Sequence, residues 1–285
     1  MIYSFIDAQK AAHAASRMCD VLAVSQSGYH AWKGRAESPR RRQDLLLSGH
    51  VRAAFKASRG TYGSPRLAFE LKALGFAAGR RRTARLMREN GLCARQKRRF
   101  VRTTDSEHAF PIAPNLLGQC FGAEGPNEKW ASDITYVWTR EGWLYLAVVI
   151  DLYARRVIGW EACGHMRAEL PLSALDKALA MRKVRPGLIH HSDRGSQYCS
   201  NAYRAKLEDN GIAASMSGKG NCYDNAMVES FFKTLKTELV RRTRFNTRTE
   251  AVSAIASYID GFYNPSRRHS ALGYLSPVQF ERQAG

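Results

Sequence analysis

The spacing of apolar residues changes near residue 128, and this change constrains the fold more than any other feature. Upstream, Leu67, Leu71 and Leu74 recur at the interval of an α-helix. Downstream, short turn-like segments separate three runs rich in Val, Ile, Tyr and Trp, which indicates consecutive strands over 130–139, 143–150 and 155–161. The sequence therefore predicts an all-α region followed by a domain built on a sheet.

Helical and extended patterns alternate after these three strands. We expect helices over 170–181, 201–210 and 225–240, with short strands over 188–191 and 212–216. Three neighbouring strands followed by alternating helices and strands produce a mixed sheet with helices on its faces. This α/β arrangement has the element order of the ribonuclease H-like fold.

Basic residues are concentrated in the N-terminal part of the chain. The 285 residues contain 44 Lys and Arg against 25 Asp and Glu, which gives a formal net charge of +19. Residues 1–125 contribute +13 of this charge, and residues 126–285 contribute +6. The excess argues against an acidic metabolic enzyme and makes a polyanion the first partner to consider.

Two helical hairpins are predicted in the basic part. Residues 15–33 have the outline of a helix-turn-helix, with a break at residues 25–27. The second hairpin pairs a helix that ends at Gly75 with a strongly basic helix that follows Gly79. These basic residues can simply form a solvated face. Their density instead favours contacts with DNA phosphates, and it favours phosphate contacts over base-specific ones. Those that we expect to bind DNA here are Arg80, Arg81, Arg82, Arg85, Lys97, Arg98 and Arg99.

Three acidic residues occupy positions where a carboxylate has no evident structural purpose. Asp133 lies within a β-rich run, Asp193 directly follows a predicted strand, and Glu229 borders the apolar stripe of a predicted helix. Each alone is more often a surface or capping residue. Clustered carboxylates repel one another unless cations neutralise them, and their oxygens suit Mg²⁺ or Mn²⁺. Two such ions about 3.5–4 Å apart can support phosphoryl transfer.

Two lysines follow Glu229 on the same face of its predicted helix. Lys233 and Lys236 lie four and seven residues beyond it, so we expect both ammonium groups to face bound DNA. Lys233 has a second interpretation, a plain salt bridge with Glu229.

Near the C-terminus, Thr247 and Glu250 form a predicted capping box for a helix through Tyr263. Beyond it, Arg267 and Arg268 are expected either to contact phosphate or to be solvated.

The chain resembles the OrfB-type transposases of the IS-three family of bacterial insertion sequences, which share the retroviral-integrase catalytic core. Thirty-five residues separate Asp193 from Glu229, as expected for that Asp-Asp-Glu superfamily, and Lys236 supplies the basic residue expected seven positions after the Glu. The resemblance covers nearly the whole chain. It is carried by SQSGYHAW, YGSPRLAFELKALGF, PNEKWASDITYVWTREGWLYLAVVIDLYARRVIGW, HHSDRGSQY, SGKGNCYDNAMVESFFKTLKTEL and YNPSRRHSALGYLSPVQFE.

The resemblance implies a DNA transposase that cuts the ends of an insertion sequence and joins the released 3′-hydroxyl to another phosphodiester. Asp133, Asp193 and Glu229 would be its catalytic, metal-binding acids, with two Mg²⁺ ions per site and Mn²⁺ as a substitute. Lys236 would contact the terminal DNA. Both steps are direct phosphoryl transfers, so no Ser or Tyr nucleophile is required.

The implied partners are double-stranded DNA, as terminal inverted repeats and as target, and further copies of the chain on that DNA. Related elements often fuse an upstream reading frame to this portion by frameshifting, so that product or a fusion with it is another expected partner. The longest apolar run, 143–150, is too short to span a bilayer, and the N-terminus lacks the features of a secretory leader. We therefore expect no membrane contact and a cytoplasmic location at the bacterial nucleoid.

Two other functions fit parts of the pattern: a nuclease of the same fold, and a non-catalytic DNA-binding regulator. The long basic region argues against the first, and the retained spacing of the acids argues against the second. The predicted division of the chain is a helical, helix-turn-helix-like segment over 1–60, a basic DNA-binding helical hairpin over 61–102, a linker over 103–128, a ribonuclease H-like integrase core over 129–263, and a C-terminal docking tail over 264–285.

Overall fold

The computed structural model describes residues 2–94, 112–218 and 224–283. Helices alone occupy the part before residue 95, and a five-stranded sheet with helices occupies the part after residue 128. The predicted all-α region followed by an α/β domain is thus confirmed. Lys97, Arg98 and Arg99 lie outside the described residues. No helix within the described ranges is both long and apolar enough to cross a bilayer.

The first three helices enclose a small core of their own. Ile6, Met18, Cys19 and Tyr29 are buried together there. The predicted helix-turn-helix outline corresponds to the second and third helices, and the Ser25 hydroxyl accepts a hydrogen bond from the backbone N–H of Gly28 as an N-cap. The helices are α1 (Ile2–Gln9), α2 (Ala15–Val21) and α3 (Gln26–Gly34).

The next three helices pack on one another. They are α4 (Pro39–Ala57), α5 (Ser64–Ala73) and α6 (Arg80–Glu89). Ser38 caps the first of them through its hydroxyl, and Pro39 fits its first turn because that position needs no N–H donor. Leu47 and Val51 on α4 are buried in the same core as Leu67 and Leu86. The predicted boundary at residue 60 separates α4 from the helices that it packs against; the division itself remains a prediction.

The sheet has the strand order β3-β2-β1-β4-β5. The first three strands are antiparallel neighbours, whereas β4 pairs in parallel with both β1 and β5. This mixed sheet is ribonuclease H-like, as predicted. Its strands are β1 (Lys129–Thr139), β2 (Gly142–Asp151), β3 (Arg156–Cys163), β4 (Ile189–Ser192) and β5 (Ala213–Met216).

Helices cover both faces of the sheet. On one face, Trp130, Val149 and Ile158 pack with α7 and α8; on the other, Ala131 and Val137 pack with α9 and α10. Because side chains alternate along a strand, odd-numbered residues of β1 face α9 and even-numbered ones face α8. These helices are α7 (Glu169–Met181), α8 (Asn201–Asp209), α9 (Ala226–Glu238), α10 (Arg248–Tyr258) and α11 (Pro277–Glu281).

The C-terminal segment joins the helical region to the sheet domain. After α10 and a π-helical turn (Ile259–Tyr263), Arg267 is buried against Glu238 at the end of α9, with hydrogen bonds of 2.8 and 2.7 Å. Arg268 binds Glu70 on α5 through two hydrogen bonds of 2.5 and 3.0 Å. The expectation that these arginines contact phosphate or are solvated is therefore wrong, because both are engaged in internal ion pairs.

Candidate active site

Asp133 and Asp193 lie side by side because of the register between β1 and β4. Ala131 pairs with His191 in this parallel ladder. Asp133 and Asp193 each follow two residues later, at the carboxyl end of β4, where adjacent strands are about 4.8 Å apart. Both carboxylates are half-buried. Two acids that are sixty residues apart in sequence thus meet at one edge of the sheet.

Glu229 approaches these aspartates from α9. Asn225, directly before this helix, is buried and donates a hydrogen bond of 3.1 Å to the carbonyl oxygen of Ser132. Val228 and Phe232 pack into the core on the same face of the sheet as Ala131. The start of α9 is therefore fixed on β1 one residue before Asp133. The Asn225 side chain makes no capping hydrogen bond to the helix.

The carboxyl of Asp133 shows that the three acids share one electrostatic environment. Burial raises its pKa well above the usual value, and the nearby charges of Asp193 and then Glu229 raise it further. A hydrogen bond from the Ile134 N–H and the charge of Lys236 oppose this rise. The charges of Asp193, Glu229 and Lys236 thus all act on the carboxyl of Asp133.

Each of the three acids also has a carboxylate oxygen engaged by a local donor. Asp133 Oδ1 accepts from the N–H of Ile134 at 2.7 Å, and Asp193 Oδ1 from the N–H of Gly195 at 2.9 Å. Glu229 Oε2 is 3.3 Å from Lys233 Nζ, as the salt-bridge interpretation of Lys233 predicted. Within the described ranges, no three metal-ligating side chains are grouped closely enough to hold an ion.

Lys236 lies at the edge of the site. Its ammonium group is 4.8 Å from the ring centroid of Tyr136 on β1. Burial and the charge of Arg241 lower its pKa, whereas Asp133 raises it. The lysine is thus held between a carboxylate and an aromatic face.

Two buried histidines support the strands beneath the acids. His190 Nε2 is 2.8 Å from the Ser132 hydroxyl and 3.1 Å from the Tyr203 hydroxyl, and burial lowers its pKa to about 3. Burial likewise lowers the pKa of His191 to about 4, and its ring nitrogens contact the hydroxyls of Ser215 and Ser217. Both histidines are buried and hydrogen-bonded within the fold, and they are neutral at physiological pH.

The basic residues of α6 fall into two groups. Arg82 and Arg85 pair with Asp44 on α4 at 2.7 and 2.6 Å, and these guanidinium groups hold the pKa of Asp44 below its usual value. Arg80 and Arg81 at the start of the helix are exposed, as is Arg88 near its end. The helix thus uses two arginines to pack on α4 and presents the other three to solvent.

A cluster of exposed aromatic residues beside the site escaped the sequence analysis. Tyr136 and Trp138 alternate along β1 with the buried Val137, and Trp143 faces Trp138 across the hairpin. The sequence did contain a signal for this cluster. Both exposed positions of β1 are aromatic, which is unusual for a strand face in contact with water.

Family models match most of the described domains. Residues 123–222 and 229–284 match integrase core domain models, and residues 41–100 match an HTH-like domain model. Such a combination defines a DNA-binding polynucleotidyl transferase.

The chain is 48% identical over 266 residues to the "insertion element IS600 uncharacterized 31 kDa protein" of Shigella sonnei, covering 93% of this chain and 98% of that protein. It is 45% identical over 285 residues to the transposase InsF for insertion sequence IS3A of Escherichia coli K12, covering 99% of each. The chain therefore belongs to the IS-three (IS3) family of transposases.

Two solved structures align with parts of this chain. A chain of the simian T-cell lymphotropic virus intasome in complex with PP2A regulatory subunit B56 gamma aligns with a TM-score of 0.47 and 15% identity, over 77% of this chain and 70% of that one. The HTLV-2 integrase catalytic core domain in complex with magnesium aligns with a TM-score of 0.42 and 15% identity, over 56% of this chain and 99% of that one.

Proposed function

We propose that this transposase cuts the ends of its insertion sequence and joins the freed 3′-hydroxyl to another phosphodiester at a site formed by Asp133, Asp193 and Glu229. The observation that carries the proposal is the parallel register of β1 and β4, which places Asp133 and Asp193 at one edge of the sheet beside the helix that carries Glu229. Sequence-distant carboxylates that repel one another in a half-buried site destabilise the fold, so their convergence points to a cationic ligand.

The donor set fits magnesium. Asp133, Asp193 and Glu229 would hold the metal, since they offer oxygen ligands alone, and Mn²⁺ accepts the same ligands. When bound, a pair of these ions supplies the positive charge that activates the attacking oxygen and stabilises the leaving oxygen of a phosphoryl transfer. The chain holds two of the acids on paired strands and the third on a helix anchored by Asn225, which limits their relative movement.

Lys233 and Lys236 are proposed to position the DNA backbone. Lys233 neutralises Glu229 in the free protein, and its ammonium group becomes available to a phosphate if that carboxylate turns to a metal ion. Lys236, beside Asp133, attracts a phosphate into the site.

Regions outside the sheet domain are proposed to bind the element's ends. Arg80 and Arg81 project from the first turn of α6, and Lys97, Arg98 and Arg99 continue the basic run in the sequence. Since two ends must be brought together, we propose a homo-oligomer on DNA, with the upstream reading-frame product or a fusion as a further partner. The reaction would take place on DNA in the bacterial cytoplasm.

Incubation with DNA that carries the element's ends, in the presence of Mg²⁺, tests the proposal. We expect sequencing to reveal 3′-end cleavage and end joining by the parent protein, and neither product with Asp193→Asn, which still binds DNA. Asp209→Asn, an exposed aspartate on α8, is the matched control and should remain active. Joining by Asp193→Asn would remove that carboxylate from the mechanism. Hydrolysis without joining would indicate a nuclease, and binding without either reaction a regulator.

A further inference from the structure

The hairpin between β1 and β2 extends beyond its neighbours in the sheet. On one side, β3 ends at Cys163, which pairs with Tyr145, and on the other side β4 ends at Ser192. The projecting part therefore has two faces with very different surroundings. One face carries Val137 and Leu144, which are buried with Phe245 and the residues of α10.

The opposite face of this projecting hairpin carries three exposed aromatic rings. Tyr136, Trp138 and Trp143 are 37%, 57% and 43% exposed. Trp143 contacts both of the others edge-on, at centroid separations of 4.9 Å to Tyr136 and 4.8 Å to Trp138. We call these three residues the aromatic platform. Exposed aromatic groups of this extent are costly in water and mark binding surfaces.

Positive charge flanks the platform at both ends. Lys236 Nζ lies over the Tyr136 ring at 4.8 Å, and Arg248 Nε donates a hydrogen bond of 3.1 Å to the carbonyl oxygen of Trp143. Glu141 in the hairpin turn is engaged by the backbone N–H of Arg248 at 2.8 Å. Flat rings between cationic groups suit a ligand with stacked π-faces on an anionic backbone, which is the chemistry of unpaired nucleotides.

The platform lies about 10 Å from Asp133 along β1 and on the opposite face of that strand, because Asp133 and Tyr136 are three residues apart. Lys236 links the two, because it contacts the Tyr136 ring and influences the pKa of Asp133. We propose that the aromatic platform stacks unpaired bases of the DNA whose backbone is held at the carboxylates. The inference rests on the proposed function and adds a binding site to it.

Binding of short DNA duplexes tests this inference without any catalysis. The protein carries Asp193→Asn, the buffer contains EDTA, and fluorescence anisotropy compares a blunt duplex with one that ends in a few unpaired nucleotides. We expect the unpaired end to improve affinity, and Trp138→Ala to reduce that advantage by about tenfold while leaving blunt-duplex affinity unchanged. Trp138→Phe, which retains an aromatic face, should restore most of the advantage.

Trp32→Ala is the matched control, since this tryptophan on α3 is 38% exposed but lies outside the platform. It should leave the ratio of the two affinities unchanged. Equal affinity of the parent for both duplexes, or an unchanged ratio in Trp138→Ala, would overturn the inference. So would a change in the sedimentation of Trp138→Ala without DNA, because the face would then be a contact between copies of the chain. If the parent protein fails to join DNA ends, the proposed function is contradicted. That failure does not change the ratio of the two affinities, so the two outcomes can be distinguished.

Discussion

At the scale of single residues, Asp133 bears the electrostatic cost of the site. Its pKa is raised in the folded protein, so its charged form disfavours folding. As for any acid with a raised pKa, this carboxyl begins to destabilise the fold when the pH exceeds its usual pKa of 3.8. The destabilisation increases as the pH rises towards the pKa of the folded state. A pKa raised by one corresponds to a free energy of about 1.4 kcal/mol that disfavours the ionised carboxyl in the folded protein. Function and stability therefore compete at this residue.

We expect Asp133→Asn to raise the free energy of unfolding at neutral pH in EDTA and to abolish end joining. Urea unfolding monitored by tryptophan fluorescence measures the first effect. Mg²⁺ should stabilise the parent and have little effect on the variant, because a bound cation offsets the repulsion that the variant lacks. A variant that is less stable than the parent in EDTA would show that the carboxylate has a structural role instead.

The three acids could be proposed from the sequence, whereas the arrangement that places them near one another could not. Asp133 and Asp193 are conspicuous in or after β-rich runs, and Glu229 borders an apolar stripe. Their convergence depends on the register of β1 against β4 and on the hydrogen bond from Asn225 to Ser132, neither of which a periodicity encodes. The same limit applies to Arg267, whose burial depends on a glutamate that is distant in sequence.

At the scale of elements, α6 illustrates how one helix combines packing with exposed charge. Arg80→Ala/Arg81→Ala should weaken DNA binding, lower the salt slope of log K by up to about 2, and leave thermal stability unchanged. Arg82→Ala/Arg85→Ala should lower the melting temperature instead, because Asp44 loses both of its partners. Anisotropy titrations at several salt concentrations and thermal unfolding measure the two effects. An unchanged slope in the first variant would mean that those arginines are only solvated.

Close packing of α7 on β3 depends on Gly159. A methyl group there would overlap the carbonyl oxygen of Ala174 and lie 2.8 Å from the nitrogen of Ala178, so helix and strand would have to separate. We expect Gly159→Ala to destabilise the fold by about 1–3 kcal/mol. Gly49→Ala on α4, where nothing lies within 4 Å, is the control and should stabilise it by about 0.5–1 kcal/mol. Equal stabilities in urea unfolding would contradict this packing.

The strands and helices of the sheet domain were predictable because apolar residues recur in each of them with one clear period. The three antiparallel strands agree with the predicted runs to within two residues, and α7 and α8 to within one. Helix α4 was missed, although Ser38 and Pro39 give a start signal and Leu47 and Val51 are spaced as in a helix. Its exposed Leu45 and Leu46 and its run of arginines obscure the amphipathic pattern that identifies a surface helix.

At the scale of the whole molecule, the C-terminal segment connects the DNA-binding helices to the catalytic domain. Arg268 pairs with Glu70 on α5, its N–H donates to the Tyr62 hydroxyl, and Arg267 pairs with Glu238 on the helix that carries Glu229. Two adjacent arginines thus support the orientation of α4–α6 relative to the acids, together with the apolar core that the two regions share. Internal ion pairs thus join α5 and α9 to the C-terminal segment that lies between them.

A double-mutant cycle measures that connection. Glu70→Ala and Arg268→Ala should each destabilise the protein, and their coupling energy should be about 1–2 kcal/mol, since the pair is partly buried and bidentate. Both single variants should also lower end joining more than they lower DNA binding. Additive effects on stability would contradict the proposed connection.

The most direct test of the shared metal site is the position of Mn²⁺ in a crystal, located by its anomalous scattering. We expect density bounded by the carboxylates of Asp133 and Asp193, with Glu229 turned away from Lys233, and loss of that density in Asp193→Asn. Manganese bound elsewhere, in crystals of a preparation that joins DNA ends, would contradict the assignment of these three acids.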